Sequence, residues 1–162
     1  MKRTFFSLAL LLAVATLTAQ TKMTAREAAV KIADRILAST TYEFKNTKTG
    51  ETYKSVKKLP LDMDVKVACK YNNWHYTNGV TNMALMELGD KLGDKKYEKY
   101  VLKNMNFVFN EGNLDFFRKQ YDEAFKRDGW NAVRKLSWHM IFRGKRLDDN
   151  GPMGASLIEL QL

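Results

Sequence analysis

One cysteine, two prolines and two histidines in 162 residues leave several kinds of chemistry little room. A single thiol, Cys69, excludes an internal disulfide, so stability has to come from a packed core. With no base at a readable spacing, Cys69 reads as a buried, inert thiol. His75 and His139 stand 64 residues apart without clustered acids or cysteines, which argues against a metal site, and no cofactor is expected. With no Pro/Ser-rich stretch to act as a linker, nothing divides the chain.

A long apolar run is also missing. Phe5 to Ala19 is too short and too alanine-rich to span a bilayer comfortably, but behind Lys2 and Arg3 it has the form of a secretory leader, residues 1–19, cut at Ala19-Gln20. The expected location is secreted or periplasmic, with no membrane attachment after the leader is removed. The formal charge falls from +9 to +7 when Lys2 and Arg3 leave. That excess is spread along the chain rather than gathered into a stripe with interleaved aromatics, so nucleic acid is not an expected partner. Its sign suits an anionic ligand such as a uronic acid.

What the sequence does have is helical periodicity. Thr24-Ala25-Arg26-Glu27 has capping-box spacing, and Ala28, Ala29, Ile32, Ala33, Ile36 and Leu37 form a stripe, predicting a helix from Thr24 to Ser39. Tyr42 to Val56 reads as a small hairpin or extended loop around Asn46-Thr47-Lys48-Thr49-Gly50. Pro60 stops any continuation. Met83, Ala84, Leu88 and Leu92, then Tyr97, Tyr100, Val101, Met105 and Val108, predict two antiparallel helices joined at Gly93-Asp94. Asp115 to Lys126 and Trp130 to Phe142 are further helices, and a last one starts near Pro152, capped by Asp149 or Asn150. The expected class is all-α, with residues 20–73 forming a first helix and an irregular segment and residues 74–162 a series of hairpins. The last helix ends on Leu160-Gln161-Leu162 without a capping glycine, so a chain cut short is expected.

Three stretches together carry a resemblance: Trp74-His75-Tyr76-Thr77-Asn78-Gly79-Val80 with Ala84-Leu85-Met86-Glu87-Leu88, then Gly93-Asp94-Lys95-Lys96-Tyr97 with Tyr100, then Leu147-Asp148-Asp149-Asn150-Gly151-Pro152-Met153-Gly154-Ala155. In this order they resemble the N-terminal part of the unsaturated glucuronyl and rhamnogalacturonyl hydrolases, glycoside hydrolase families 88 and 105. The resemblance implies an incomplete six-hairpin α/α barrel, with inner helices starting near Trp74 and Pro152 and Lys95 to Asn110 as an outer one. It also implies an unsaturated uronic-acid oligosaccharide as substrate and hydration of its C4–C5 double bond as the reaction. On this expectation the chain by itself is inactive, because much of the pocket wall is absent.

That chemistry needs a carboxyl group that is protonated near neutral pH and then activates water as its anion. Burial and a neighbouring carboxylate both favour such a state. By the family motif the acid/base is Asp149. Asn113-Leu114-Asp115 matches the letters of a second family site, but the interval to Asp149 is short and no Pro-Gly follows, so Asp115 also reads as a solvated acid at a helix start. Trp74 and Asn78 are candidate sugar contacts, the ring by stacking and the amide through hydroxyls, with core packing as the competing fate of the ring. Arg143 is a candidate for a forked contact to the uronate. Other α/α-barrel carbohydrate enzymes, whether epimerase, lyase or mannan-type hydrolase, and a non-enzymatic exported saccharide-binding module are the alternatives.

Overall fold

The computed structural model describes residues 23–144 and 147–161, apart from the side chain at position 149. The expected leader, residues 1–19, lies outside the described residues. The chain falls into two compact units, Met1–Ile32 and Ala33–Leu162.

Helix α1 (Ala25–Ser39) opens with the expected capping box. The Thr24 amide donates to Glu27 Oε2 at 2.8 Å and the Glu27 amide to Thr24 Oγ1 at 3.2 Å. The apolar stripe is only half used. Ala33 is buried and Ile36 and Leu37 pack beside it, whereas Ala29 and Ile32 are exposed.

In the second unit the helices are α2 (Tyr76–Leu92), α3 (Lys96–Val108), α4 (Glu111–Val133), α5 (His139–Arg143) and α6 (Leu147–Glu159), with a 3₁₀ turn at Lys70–Asn72. The chain is thus predominantly helical, as expected, but it also carries a small antiparallel sheet. Strands β1 (Phe44–Asn46), β2 (Thr52–Tyr53) and β3 (Val65–Val67) lie in the order β2-β1-β3. The β1–β2 hairpin closes through Asn46, whose side-chain oxygen accepts from the Lys48 and Thr49 amides at 2.9 and 3.0 Å. β3 is held from outside its own sequence. Ser137 Oγ accepts from the Val67 amide at 3.1 Å, and the fully buried Gln120 amide donates to the Asp62 and Val65 carbonyls.

Two expected helices differ in their bounds. α4 begins at Glu111 because Asn110 caps it, and it continues through a kink at Asp128 and Gly129 (φ 51°) as far as Val133. The segment expected as one helix from Trp130 to Phe142 is broken between Arg134 and Trp138, and Trp138, with φ 56°, stands at the N-cap of the separate helix α5. Trp138 is fully buried, its indole donating to the Asn72 carbonyl at 2.8 Å and its ring 4.7 Å from that of Phe117. This indole, Phe44, Phe117, Trp74 and Met153 belong to one core cluster; Leu85, Met86, Tyr97 and Val101 form a second between α2 and α3.

α1 is tied to the start of α3 through a carboxylate. Asp34 Oδ1 accepts from the Tyr97 hydroxyl at 3.0 Å and from Lys96 Nζ at 2.9 Å. The lysine, and after it the phenol, hold the Asp34 carboxyl below its ordinary range. A depressed carboxyl contributes stability above its ordinary pKa and loses it as pH falls through the lowered value. Urea midpoints should therefore fall between about pH 5 and about pH 2 more steeply for the native protein than for Asp34→Asn. Parallel slopes would show that this contact does not contribute.

Candidate functional site

The site expected from sequence depends on two segments far apart in the chain, the start of α2 and the start of α6. Two contacts bring them together. Trp74 Nε1 donates to Asn150 Oδ1 at 2.7 Å across 76 residues. Gly79, buried in the first turns of α2, lies against Pro152 and Met153 of α6. A β-carbon there would fall 2.5 Å from the Met153 amide nitrogen and 2.7 Å from Pro152 Cβ, so only glycine permits this approach.

The far ends of the two helices also meet. Met86, Gly89 and Asp90 share the lining of a cavity of about 300 Å³ with Glu159 and Leu160. Start therefore lies beside start and end beside end, so α2 and α6 run side by side in the same direction. No other described pair of helices is in more extensive contact. α3 returns antiparallel to α2 after Gly93, whose φ of 67° ends the helix in the left-handed region.

α6 begins earlier than the sequence suggested. Its first residue is Leu147, and Pro152 lies inside it, so Asp149 and Asn150 belong to its opening turns instead of capping it. Pro152 has no amide proton to give the Asp148 carbonyl four residues before it, which weakens the helix here. The bond from Trp74 to Asn150 steadies this same stretch. Asp148 is exposed, and the Asp149 side chain lies outside the described residues, although its backbone is helical.

The other candidates are distributed unevenly. Trp74 is buried, 6% exposed, with its ring edge-on to Phe109 at 5.5 Å, so most of its surface faces the core. Asn78 is buried too. Its amide nitrogen donates to the Lys70 and Asn73 carbonyls at 2.8 and 2.7 Å and so fastens the 3₁₀ turn to α2. Beside it Lys70, Asn73, His75, Thr77 and Thr81 line a polar recess of about 290 Å³. Asp115 is exposed near the start of α4, bordering a separate recess of about 430 Å³ with Lys57, Glu111 and Lys119. The Arg143 guanidinium ends α5, lying 3.7 Å from the Trp130 ring centroid. Thus Trp74 and Asn78 share the mouth of α2 and α6 with the acid pair's backbone, whereas Asp115 and Arg143 stand on other elements.

Two residues organise the site in ways the sequence does not announce. Asn150 was visible only as a possible cap, and Gly79 only as one letter of a motif. Their partners are distant in sequence, and no local signal names them. Scans against family models, curated proteins and solved structures give no match to this chain.

Replacing Gly79 with Ala should destabilise the protein by about 3 kcal/mol through overpacking against backbone that cannot swing aside. Gly154, where a β-carbon meets nothing within 4 Å, is the internal control. There Ala should be neutral or stabilising by up to about 1 kcal/mol from helix propensity. Chemical denaturation of the two variants checks the contrast, and equal stabilities would remove the close approach.

Proposed function

We propose that this chain provides the first helical hairpins of an α/α-barrel glycoside hydrolase that hydrates the C4–C5 double bond of unsaturated uronyl residues. The observation that carries the reading is the parallel pairing of α2 and α6, locked at their starting ends by the Trp74–Asn150 hydrogen bond. Two stretches that resemble one enzyme family only in combination are neighbours in space. Parallel neighbours also suit the inner ring of such a barrel, with α3 on the outside, and here α3, α4 and α5 lie between the two in sequence. A six-hairpin barrel needs more helices than those described, and the proposal requires further hairpins to complete the pocket.

In this proposal Asp149 of the first turn of α6 is the acid/base. The terminal sugar is an enol ether, and its C4 takes the proton from the carboxyl group, giving a cation stabilised by the ring oxygen. The resulting carboxylate accepts a proton from water as the oxygen bonds to C5. The hemiketal then opens and releases the remaining saccharide. Adjacent helix starts add the positive ends of two helix dipoles, which favour the substrate's uronate carboxylate. Trp74 positions the acid segment through Asn150, and export places the enzyme where polysaccharide lyases release such sugars.

The test is an assay of the barrel-completed protein on unsaturated rhamnogalacturonan and glucuronan disaccharides, followed by loss of the conjugated ultraviolet absorbance. Turnover is expected, and Asp149→Asn should reduce it by about 10³-fold with the circular dichroism unchanged, the scale of a lost general acid/base. An unaltered rate in that variant would move the acid elsewhere. Cleavage of saturated and unsaturated substrates at equal rates would remove the hydration chemistry altogether.

A further inference from the structure

Gly79 turns toward α6, and residues two positions away on a helix point in nearly the opposite direction. Thr77 and Thr81 therefore stand on the flank of α2 turned away from α6. With Asn78, Lys70, Tyr71 and His75 they line a recess of about 290 Å³, a size at the lower end of small-molecule sites. This recess is thus on the other side of α2 from the contact with Pro152 and Met153.

The α2 side of the recess has already committed its protons. Asn78 is only 9% exposed, and its amide nitrogen spends both hydrogens on the Lys70 and Asn73 carbonyls. Those two bonds fix which way the carboxamide points. Among the described residues its oxygen accepts no hydrogen bond, and it is not enclosed by the core, so it opens on the recess. The Thr81 hydroxyl donates to the Thr77 carbonyl at 2.7 Å. His75 Nδ1 caps α2 by accepting from the Thr77 amide, so the Thr77 hydroxyl 2.9 Å away donates to that same nitrogen. Three oxygens within one turn, from positions 77, 78 and 81, are left as acceptors. The rim has the opposite character. Lys70 holds its ammonium 5.0 Å from the Tyr71 ring centroid with no ion pair among the described residues, and no carboxylate lines the recess. The start of α2 adds the positive end of its dipole.

We propose that this recess binds a free α-amino acid with a small side chain. The ligand's ammonium carries three N–H donors for the three oxygens, and its carboxylate meets Lys70 and the positive start of α2. A simple amine would fill the acceptors but be opposed by Lys70 and the helix end. A simple carboxylate would match the charge and confront three acceptor oxygens. Only a ligand with both groups on neighbouring atoms answers both sides of so small a space. Asn78, expected from sequence as a sugar contact, takes the ammonium here, and its two internal bonds hold the oxygen in place before the ligand arrives.

The experiment titrates the full chain, labelled with nitrogen-15, with glycine and follows the amide resonances. Saturable shifts are expected at Thr77, Thr81 and the Asn78 side chain. Thr81→Val, which keeps the branched shape and removes the oxygen, and Lys70→Met should each weaken binding about tenfold, the size of a lost hydrogen bond to a charged group. Lys70 is exposed and Thr81 half-buried, and unchanged circular dichroism verifies the fold. Glycinamide keeps the ammonium without the carboxylate, and N-acetylglycine the carboxylate without the ammonium; both should bind far more weakly. Equal binding of either would assign the recess to a peptide terminus and overturn the proposal. Absence of shifts at millimolar glycine, shifts confined to Trp74 and Asn150, or indifference to both variants would overturn it as well. Glycine has no alkene to hydrate and the recess lies away from α6, so a negative result leaves the hydrolase reading standing, and loss of that reading leaves this one.

Discussion

Everything that can be said about a site in this protein depends on one close approach of backbone to backbone. Gly79 brings α2 against Pro152 and Met153 of α6 at a distance that no side chain would permit. Because the contact falls in the opening turns of both helices, it fixes direction as well as distance, and the Trp74–Asn150 bond fixes register. Two helix starts then face the same way. Their dipoles make that end electropositive, an environment that suits an anionic sugar.

The route from α2 back to α6 needs sharp changes of direction, and the chain makes them at some cost. Trp138, with φ 56°, is the one non-glycine in the left-handed region among the described residues. Such a conformation costs about 1–3 kcal/mol for a bulky residue and persists only where the surroundings enforce it. Here the indole is fully buried, ringed by Phe44, Phe107 and Phe117, and bonded to the Asn72 carbonyl. α4 has already ended at Val133, and the strained residue stands at the N-cap of α5.

Local physics makes most of the helices legible in the sequence. The Thr24–Glu27 capping box, the Gly93 stop and the stripe of α3 all act over four residues or fewer, and each falls where expected, whereas α2 buries Asn82, Leu85, Met86 and Gly89 and leaves the expected Met83 and Ala84 exposed. Elements that depend on distant partners were not legible. β3 has three residues and is held by Gln120 and Ser137, 55 and 70 positions away, so its own composition announces nothing. Pro152 suggested a helix start because proline is usual there, but tertiary contact with Gly79 and Trp74 carries the helix five residues further back. The candidate site was visible in the same divided way. The letters around Trp74 and Asp149 pointed to one mouth, while nothing in the sequence showed that Trp74 would reach it through Asn150 or that Arg143 would instead lie on Trp130.

The parallel, interlocked starts of α2 and α6 are the claim on which the rest stands, and nuclear Overhauser contacts in solution test it most directly. The account predicts cross-peaks from the Trp74 indole proton to the Asn150 side chain and from the Gly79 α-protons to the Met153 amide. Contacts from Gly79 to Leu157 or Leu160 in their place, as antiparallel helices would give, would contradict it.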